Sequence, residues 1–195
     1  MWGLEALLSN ANSTGTAITN YIGGVNRATS GNTWFHCNML GNGGTDRPLT
    51  LDLMQQAFDQ CEIERDTSPG IILTNHALKR RYASLLVADK RYPPGGEITL
   101  DGGYKALEFN GVPLVADPDA SLTLTPQKLE RMYFVSLPSL EVAQLEDFGW
   151  MDRDGSTLKA IAGYDAYEAV LFAYMELCVN DPAKNCVLYD IDESA

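Results

Sequence analysis

The sequence predicts an α+β fold, in which helices and strands follow one another without regular alternation. Two stretches carry apolar residues at helical spacing, one after Thr50 and one after Thr74. Short segments rich in β-branched and aromatic residues lie around them, and the pair Asn110-Gly111 between two such segments is typical of a tight β-hairpin. Because strands bracket the helices without βαβ order, the pattern favours α+β over a doubly wound parallel sheet.

The front of the chain is predicted to be extended and rich in turns. Residues 8–44 contain many Gly, Asn, Thr and Ser residues, interrupted by the aromatic side chains of Tyr21, Trp34 and Phe35. This composition favours turns over a helix, with a few buried aromatic residues to hold the segment in place.

The first long helix is expected to begin after Thr50 and to end near Glu64. Thr50 is a good N-cap, and Leu49 and Met54 have the spacing of a hydrophobic staple. The apolar side chains that recur at helical spacing, and should form its buried face, are Leu53, Met54, Ala57, Phe58 and Cys61.

A second helix is predicted after a short strand, Gly70 to Leu73. Thr74 is its expected N-cap, and Pro93-Pro94 stops it. Its buried stripe is expected to consist of Leu78, Tyr82, Leu85 and Leu86.

Several strands are predicted in the second half of the chain. The expected segments are Tyr104–Phe109 and Val112–Ala116 in the hairpin, followed by Met132–Ser136, Glu141–Leu145 and Leu158–Ala162. Ala166 to Cys178 fits a helix or a long strand by period alone, and its β-branched and aromatic residues favour a strand. Lys184 to Ile191 is the expected return partner of that strand.

The composition is that of an ordinary globular protein. Of its 195 residues, 45% are hydrophobic and 21% are charged, which allows one large domain or two small lobes. The 26 acidic residues outnumber the 14 basic ones and give a net charge of -12, so the surface repels nucleic acid phosphates. We expect no membrane span, because no apolar run approaches the roughly 20 residues that one needs, and no secretory signal.

Candidate catalytic residues are few. His36 stands next to Cys37, and the second histidine, His76, falls in the first turn of the second helix. Neighbours in sequence seldom face each other as nucleophile and base, so a small hydrolase that uses His36 and Cys37 is only an alternative interpretation. The four cysteines form no CxxC pair and are expected to be reduced, although a Cys178–Cys186 bridge is conceivable. The sequence thus predicts no enzyme, metal or cofactor.

Two loops contain patterns that also occur in ligand sites. The glycine-rich loop Gly41 to Gly44 is able to cradle an anion, yet it lacks the lysine of a phosphate-binding loop, and a flexible entry to the first helix is the better interpretation. Asp152 to Ser156 resembles the start of a calcium loop, but Gly163 stands where a bidentate glutamate is needed. A polar turn is favoured there.

Two surface features are candidates for contact with another subunit. Lys79, Arg80 and Arg81 follow one another on the second helix, where a solvated face is the favoured interpretation. The functional alternative is a contact with an acidic neighbour, either DNA or another subunit, and the overall negative charge favours a salt bridge with a subunit. Trp150, beside Asp147 and Asp152, is either an interface anchor or a buried side chain.

Much of the chain resembles one protein family. The resemblance is carried by residues 71–92 (IILTNHALKRRYASLLVADKRY) with 102–120 (GGYKALEFNGVPLVADPDA), by residues 163–191 (GYDAYEAVLFAYMELCVNDPAKNCVLYDI), and by WGLEALLSN at 2–10 with GNGGTDRPLTLDLMQQAFD at 41–59. These stretches resemble the major capsid proteins of tailed bacteriophages with the Hong Kong 97-type fold.

The resemblance implies a division into two lobes. Residues 1–68 and 161–195 would form a peripheral lobe, in which a spine helix at about 50–64 packs on an antiparallel sheet. Residues 69–160 would form a mixed α/β axial lobe. The family's amino-terminal arm and extended hairpin have no counterpart in the sequence, so we expect them to be truncated or shortened.

The resemblance also implies a function. The chain would be a coat subunit that assembles with itself, as hexamers and pentamers in the family, into an icosahedral shell around DNA. Portal or scaffolding proteins are further implied partners, without membrane contact or sequence-specific nucleic acid binding. The implied location is the virion, with the bacterial host cytoplasm before assembly. The alternatives are a bacterial nanocompartment shell protein, a monomeric binding module and, below these, the hydrolase.

Overall fold

The computed structural model describes residues 3–8, 21–65, 67–88, 97–99, 105–117, 131–152 and 155–192. The α-helices in these ranges are α1 (Leu4–Leu8), α2 (Leu51–Arg65) and α3 (His76–Ala88). The strands are β1 (Tyr21–Ile22), β2 (Val25–Asn26), β3 (Asn38–Leu40), β4 (Arg47–Pro48), β5 (Ile71–Thr74), β6 (Glu97–Thr99), β7 (Lys105–Phe109), β8 (Val112–Ala116), β9 (Met132–Val135), β10 (Leu140–Trp150), β11 (Lys159–Ala160), β12 (Tyr167–Glu168), β13 (Leu171–Val179), β14 (Cys186–Leu188) and β15 (Ile191–Asp192). Short 3-10 helices lie at Ser30–Phe35, Leu137–Ser139 and Pro182–Lys184.

A seven-stranded sheet forms the centre of the fold, with strand order β3-β14-β9-β5-β8-β7-β6. It is mixed, because β14 runs parallel to β3 and β5 parallel to β8, whereas the other neighbouring strands are antiparallel. Strand β14 comes from the far end of the chain and is inserted between β3 and β9. The sheet therefore joins segments that are distant in sequence.

Helices α2 and α3 cover one face of this sheet. Phe58 of α2 and Tyr82 of α3 both make edge-to-face contacts with Phe109, at ring-centroid distances of 6.2 and 6.1 Å. The fully or nearly buried side chains of the two helices in this cluster are Met54, Ala57, Phe58, Cys61, Leu78 and Tyr82. The predicted buried faces are confirmed, with Leu53, Leu85 and Leu86 partly buried at their margins.

The sheet under α2 is mixed where an antiparallel one was expected. The strand from the end of the chain enters it as β14, between the parallel neighbour β3 and the antiparallel neighbour β9. The sequence pattern does not specify the position or direction of β14, because these depend on where a distant segment of the chain joins the sheet. The α+β fold class itself is confirmed.

The second face of the sheet is covered by the front of the chain. In β9, successive side chains alternate between the two faces, so that Met132 and Phe134 join the cluster under α2 and α3 while Tyr133 and Val135 join the opposite one. That second cluster also contains Leu7 of α1. The main-chain carbonyls of α1 at Ala6 and Leu7 accept hydrogen bonds of 3.0 Å from the fully buried Arg27 guanidinium.

Of the two predicted helix caps, one is confirmed and one is wrong. The Thr50 hydroxyl accepts a hydrogen bond of 3.2 Å from the Leu53 main-chain N–H, as an N-cap does. At α3 the cap is Asn75, whose Oδ1 accepts from the Leu78 N–H at 2.7 Å. Thr74 is instead the last residue of β5, and its hydroxyl donates to the Arg131 carbonyl.

The hairpin predicted at Asn110-Gly111 is confirmed. Both residues have positive φ angles, 50° and 82°, which the tight turn between β7 and β8 requires. The amide of Asn110 also donates a hydrogen bond of 2.8 Å to the side chain of Gln55 on α2, so the turn is attached to the helix above it.

The strand prediction for Ala166 to Cys178 is confirmed in β12 and β13, but its expected partner is wrong. Strand β13 pairs antiparallel with β10, along its whole length. The segment from Lys184 to Ile191 turns away at the 3-10 helix Pro182–Lys184 and enters the seven-stranded sheet as β14. Cys178 and Cys186 are free thiols and form no bridge.

The predicted peripheral lobe, residues 1–68 and 161–195, and the predicted axial lobe, residues 69–160, remain a proposal. Side chains from both sets occur together in the cluster under α2 and α3. The two strands β10 and β13 likewise fall on different sides of the proposed division.

Candidate functional site

The long antiparallel pair of β10 and β13 is the candidate functional site. Its register runs from Leu140 opposite Val179 to Trp150 opposite Leu171, and the small pair of β11 and β12 lies between these two strands in sequence. We call residues 140–179 the ribbon, of which the structure describes 140–152 and 155–179. At roughly 3.3 Å per residue, the eleven residues of β10 extend over about 35 Å.

The ribbon exposes an unusual amount of apolar surface. Leu145 is 88% exposed, Val142 57% and Trp150 59%. Large exposed apolar side chains on the ribbon are Val142, Leu145, Phe148, Trp150, Leu158, Ile161, Tyr164, Tyr167, Val170, Leu171 and Tyr174. A two-stranded ribbon is at best marginally stable alone in water, and large exposed apolar patches mark interaction surfaces. The ribbon therefore has the properties of a contact surface.

The two faces of the ribbon differ in chemistry. Residues that oppose each other across the strands share a face. One face is apolar, with the pairs Leu140–Val179, Val142–Leu177 and Trp150–Leu171.

The other face carries carboxylates and aromatic rings. Its pairs are Glu141–Cys178, Ala143–Glu176 and Glu146–Tyr174. The ring of Tyr174 lies against that of Phe172 with a centroid distance of 5.6 Å. We call this the acidic face of the ribbon.

The register of the ribbon shifts twice, between Gln144 and Glu146 and between Glu146 and Gly149. Such bulges place an extra residue on one strand and bend and twist it. Leu145, the most exposed apolar side chain of the ribbon, lies at the first shift, beside a shallow open groove that Ala173 and Tyr174 help to line.

Asn185 holds the two ends of the ribbon together at its base. Its Oδ1 accepts hydrogen bonds from the Ser136 main-chain N–H at 2.9 Å and from the Ser139 hydroxyl at 3.2 Å, just before β10. Its Nδ2 donates to the carbonyls of Asp181 and Pro182, just after β13, at 3.3 Å each. Asn185 is fully buried, so these bonds fix the point at which the ribbon leaves the sheet.

The predicted contact residues Lys79, Arg80 and Arg81 lie on α3, away from the strands of the ribbon in sequence. Arg80 is exposed, and the other two are half-buried. None of the three makes an ion pair within the described part of the chain, and the buried Nε of Arg81 has no acceptor there. Their role in a subunit contact remains a proposal.

His36 and Cys37 point to different partners. The His36 Nε2 is 2.8 Å from the Arg27 carbonyl, and the Cys37 thiol donates to the Asn185 carbonyl at 3.2 Å. Burial, together with the nearby thiols of Cys186 and Cys61, raises the pKa of Cys37 well above its ordinary value. The thiol therefore stays protonated at neutral pH, whereas a nucleophilic cysteine acts as the thiolate.

The glycine-rich loop at 41–44 binds an anion that belongs to the chain itself. The Asp190 carboxylate accepts hydrogen bonds from the main-chain N–H groups of Asn42, at 2.8 Å, and Gly44, at 2.9 Å. A side chain at Gly41 would overlap the ring of Tyr189. The loop is thus part of the structure around β15 rather than a free anion site.

The described residues contain no cluster of three or more potential metal ligands. The turn predicted at Asp152 to Ser156 lies partly outside the described residues. None of the helices in the described ranges has the length and apolar character of a membrane span.

Comparison with known proteins shows similarity in fold to two solved structures. No family model and no curated protein sequence matches the chain. Among solved structures, the Cyanophage A-1(L) capsid asymmetric unit is similar over 97% of this chain, with 18% identity and a TM-score of 0.58. The holo-SrpI encapsulin complex from Synechococcus elongatus PCC 7942 is similar over 81%, with 14% identity and a TM-score of 0.57.

The fold is of the Hong Kong 97 type. The chain spans little more than half the length of these two solved chains, 58% of the first and 54% of the second. At such low identity the likeness concerns the fold alone.

Sequence reasoning did not identify the ribbon as a contact surface. Its β10 segment, LEVAQLEDFGW, was predicted only as a short strand, Glu141 to Leu145. The alternation of Leu140, Glu141 and Val142 was a usable signal for a strand with one apolar face, but it does not tell whether that face is covered. Trp150 was the one ribbon side chain considered as an interface anchor, and it is exposed.

Proposed function

We propose that this chain is a structural subunit of a self-assembling protein shell, specifically the major capsid protein of a tailed phage or prophage. The observation that carries the proposal is the ribbon, whose apolar face is covered at its base, where Val179 is buried, but is exposed further along at Val142, Trp150 and Leu171. A subunit whose ribbon lies on a neighbour would bury this surface upon assembly.

The Hong Kong 97-type fold supports this proposal, because both similar structures described above are subunits of shells by name, a phage capsid and an encapsulin. The net charge of -12 is compatible with a shell wall to which packaged DNA does not adhere. Portal or scaffolding proteins would be additional partners, and the subunit would be found in the virion, or in the host cytoplasm before assembly.

A bacterial nanocompartment shell is the second candidate function. The encapsulin structure matches with nearly the same TM-score as the phage capsid, 0.57 against 0.58. The two candidates differ in content, because a phage capsid encloses DNA and a nanocompartment encloses protein cargo. Particles purified from the native source should contain nuclease-protected DNA, whereas particles filled with a single protein would support the nanocompartment.

An enzymatic role has less support. The hydrolase alternative needs the Cys37 thiol and the His36 ring to act together, but the two side chains bind different carbonyl groups. Replacement of Cys37 by Ser should leave assembly unchanged. Hydrolysis of an ester or peptide that disappears in this variant would contradict the structural role.

Self-association through the ribbon is tested by removing its apolar side chains without changing charge. In the double variant Val142→Ser/Leu171→Ser, each substitution removes apolar surface worth roughly 1–2 kcal/mol if it is buried in a contact. We expect sedimentation velocity to show association weakened by at least about tenfold. The matched control is Ile63→Ser/Leu137→Ser, which changes two exposed apolar side chains outside the ribbon.

The control should associate like the parent chain. Equal association of the parent and the ribbon variant, or a parent that stays monomeric at every concentration, would contradict the proposed function. Circular dichroism of both variants checks that they are folded.

A further inference from the structure

We propose that the acidic face of the ribbon binds the basic residues of α3 on a second copy of the chain. This inference rests on the proposed function, and it adds which surface of the neighbour the ribbon meets. The partner is chosen by charge complementarity, because the ribbon has a net negative charge and α3 a net positive one.

The ribbon carries a large share of the negative charge of the chain. Residues 140–179 include eight acidic and two basic side chains, a net charge of -6 out of -12. Glu141 and Glu146 are exposed, lie on the acidic face, and make no ion pair within the described part of the chain. They are about 13 Å apart along the strand, as judged from their partners Cys178 and Tyr174.

Helix α3 has a net positive charge, opposite to that of the ribbon. Its thirteen residues include three basic and no acidic side chains. Lys79, Arg80 and Arg81 are consecutive, and none has a carboxylate partner among the described residues. Within the described ranges, these are the basic residues that are consecutive in sequence, and Arg80 is the exposed one.

The chemistry of the acidic face favours arginine in particular. Glu146 stands opposite Tyr174, which is 53% exposed and whose ring lies beside that of Phe172. A guanidinium group binds a carboxylate through parallel hydrogen bonds and also stacks on aromatic rings. The pair Glu146–Tyr174 therefore offers Arg80 both kinds of contact.

Like charge argues against an arrangement in which two ribbons pair through their acidic faces. Two acidic faces would bring Glu141 and Glu146 of both copies together, and like charges across an interface oppose association. A contact between ribbon and α3 joins two different surfaces. Such heterologous contacts propagate from copy to copy and form rings where the rotation between copies closes, whereas a contact of one surface with itself stops at a dimer. The proposed contact is thus of the kind that a shell needs.

The test is a charge exchange followed by sedimentation velocity of the full chain. Arg80→Glu reverses the exposed charge on α3, and Glu146→Arg reverses one on the ribbon. Each single variant should associate at least about tenfold more weakly than the parent. An equimolar mixture of the two variants should associate like the parent, because each altered surface then finds a complementary one on the other variant. Association of the parent should also weaken as salt screens the ion pairs.

Two controls make the same changes of charge elsewhere. Glu62→Arg alters an exposed glutamate on α2, and Lys184→Glu alters a basic residue in the 3-10 helix near the ribbon base. Both should associate like the parent.

The inference and the proposed function fail in different ways. If Val142→Ser/Leu171→Ser abolishes association and Arg80→Glu does not, the ribbon is a contact but α3 is not its partner. If the equimolar mixture associates as weakly as each single variant does alone, a contact between Arg80 and Glu146 is likewise excluded. If the parent is always monomeric, both proposals are wrong.

Discussion

Asn185 joins the two strands of the ribbon where they leave the seven-stranded sheet. Its amide group hydrogen-bonds to residues on both sides of the ribbon, at Ser136 and Ser139 before β10 and at Asp181 and Pro182 after β13. The side chain is fully buried, so bulk solvent does not reach these partners in the folded chain.

We therefore expect Asn185→Ala to lower the free energy of unfolding by about 2–4 kcal/mol, because it leaves buried main-chain and hydroxyl groups without partners. Urea denaturation followed by circular dichroism measures the change. Asn180→Ala is the control, since the exposed side chain of Asn180 makes no hydrogen bond in the described structure and its loss should change stability by less than about 0.5 kcal/mol. Equal effects of the two substitutions would show that the bonds of Asn185 add little.

The buried thiols are expected to lower the stability of the fold at alkaline pH. Burial raises the pKa of Cys61 from 9.0 to about 12, and it raises the pKa values of Cys37 and Cys186 as well. Below pH 9.0 the folded and unfolded chains both keep these protons, so the stability from the buried neutral thiols is fully present. Above it, the unfolded chain releases protons that the folded chain retains, and the free energy of unfolding falls until pH reaches the folded pKa.

Replacement of one of these cysteines should reduce the loss of unfolding free energy that accompanies rising pH. Between about pH 8 and about pH 10, the free energy of unfolding of Cys61→Ala should decrease by roughly 1.4 kcal/mol less than that of the parent chain. Denaturant titrations of both proteins at the two pH values provide the comparison. An identical decrease in parent and variant would contradict a raised pKa at Cys61.

At the scale of elements, α2 shows how a local sequence signal determines a buried face. Phe58 packs edge-to-face on Phe109 of the sheet, whereas Ile63, later on the same helix, is 76% exposed. Phe58→Ala should reduce the free energy of unfolding by roughly 3–5 kcal/mol, because it leaves a cavity in the core. Ile63→Ala should change it by less than about 0.5 kcal/mol. Thermal or urea unfolding that shows similar losses for both would mean that α2 is oriented differently.

Helices, caps and the tight hairpin were predictable because their signals are local. The Thr50 cap and the Asn110-Gly111 turn each depend on a few consecutive residues. Strand partners are set by contacts between distant segments, so the pairing of β13 with β10 and the place of β14 in the sheet were not readable from the sequence. The alternation along β10 likewise indicates a strand without showing that its apolar face is uncovered.

At the scale of the whole molecule, charge and apolar surface are unevenly distributed. The seven-stranded sheet is covered on both faces by side chains of the same chain, while the ribbon carries most of the large exposed apolar residues and half of the net charge. A monomer would leave that surface in water, which is unfavourable for apolar groups. The uncovered ribbon is therefore the structural basis for proposing an assembling subunit.

Hydrogen exchange followed by mass spectrometry, across a series of protein concentrations, tests most directly whether the ribbon becomes a contact. Exchange of the main-chain amides in β10 and β13 should slow as the chain associates, because a neighbouring copy covers and stabilises the ribbon. Amides of the central strands β5 and β9 should exchange at the same rate throughout, since they are already buried in the monomer. Association accompanied by unchanged exchange in β10 and β13 would show that copies meet elsewhere, and the ribbon would not be the assembly surface.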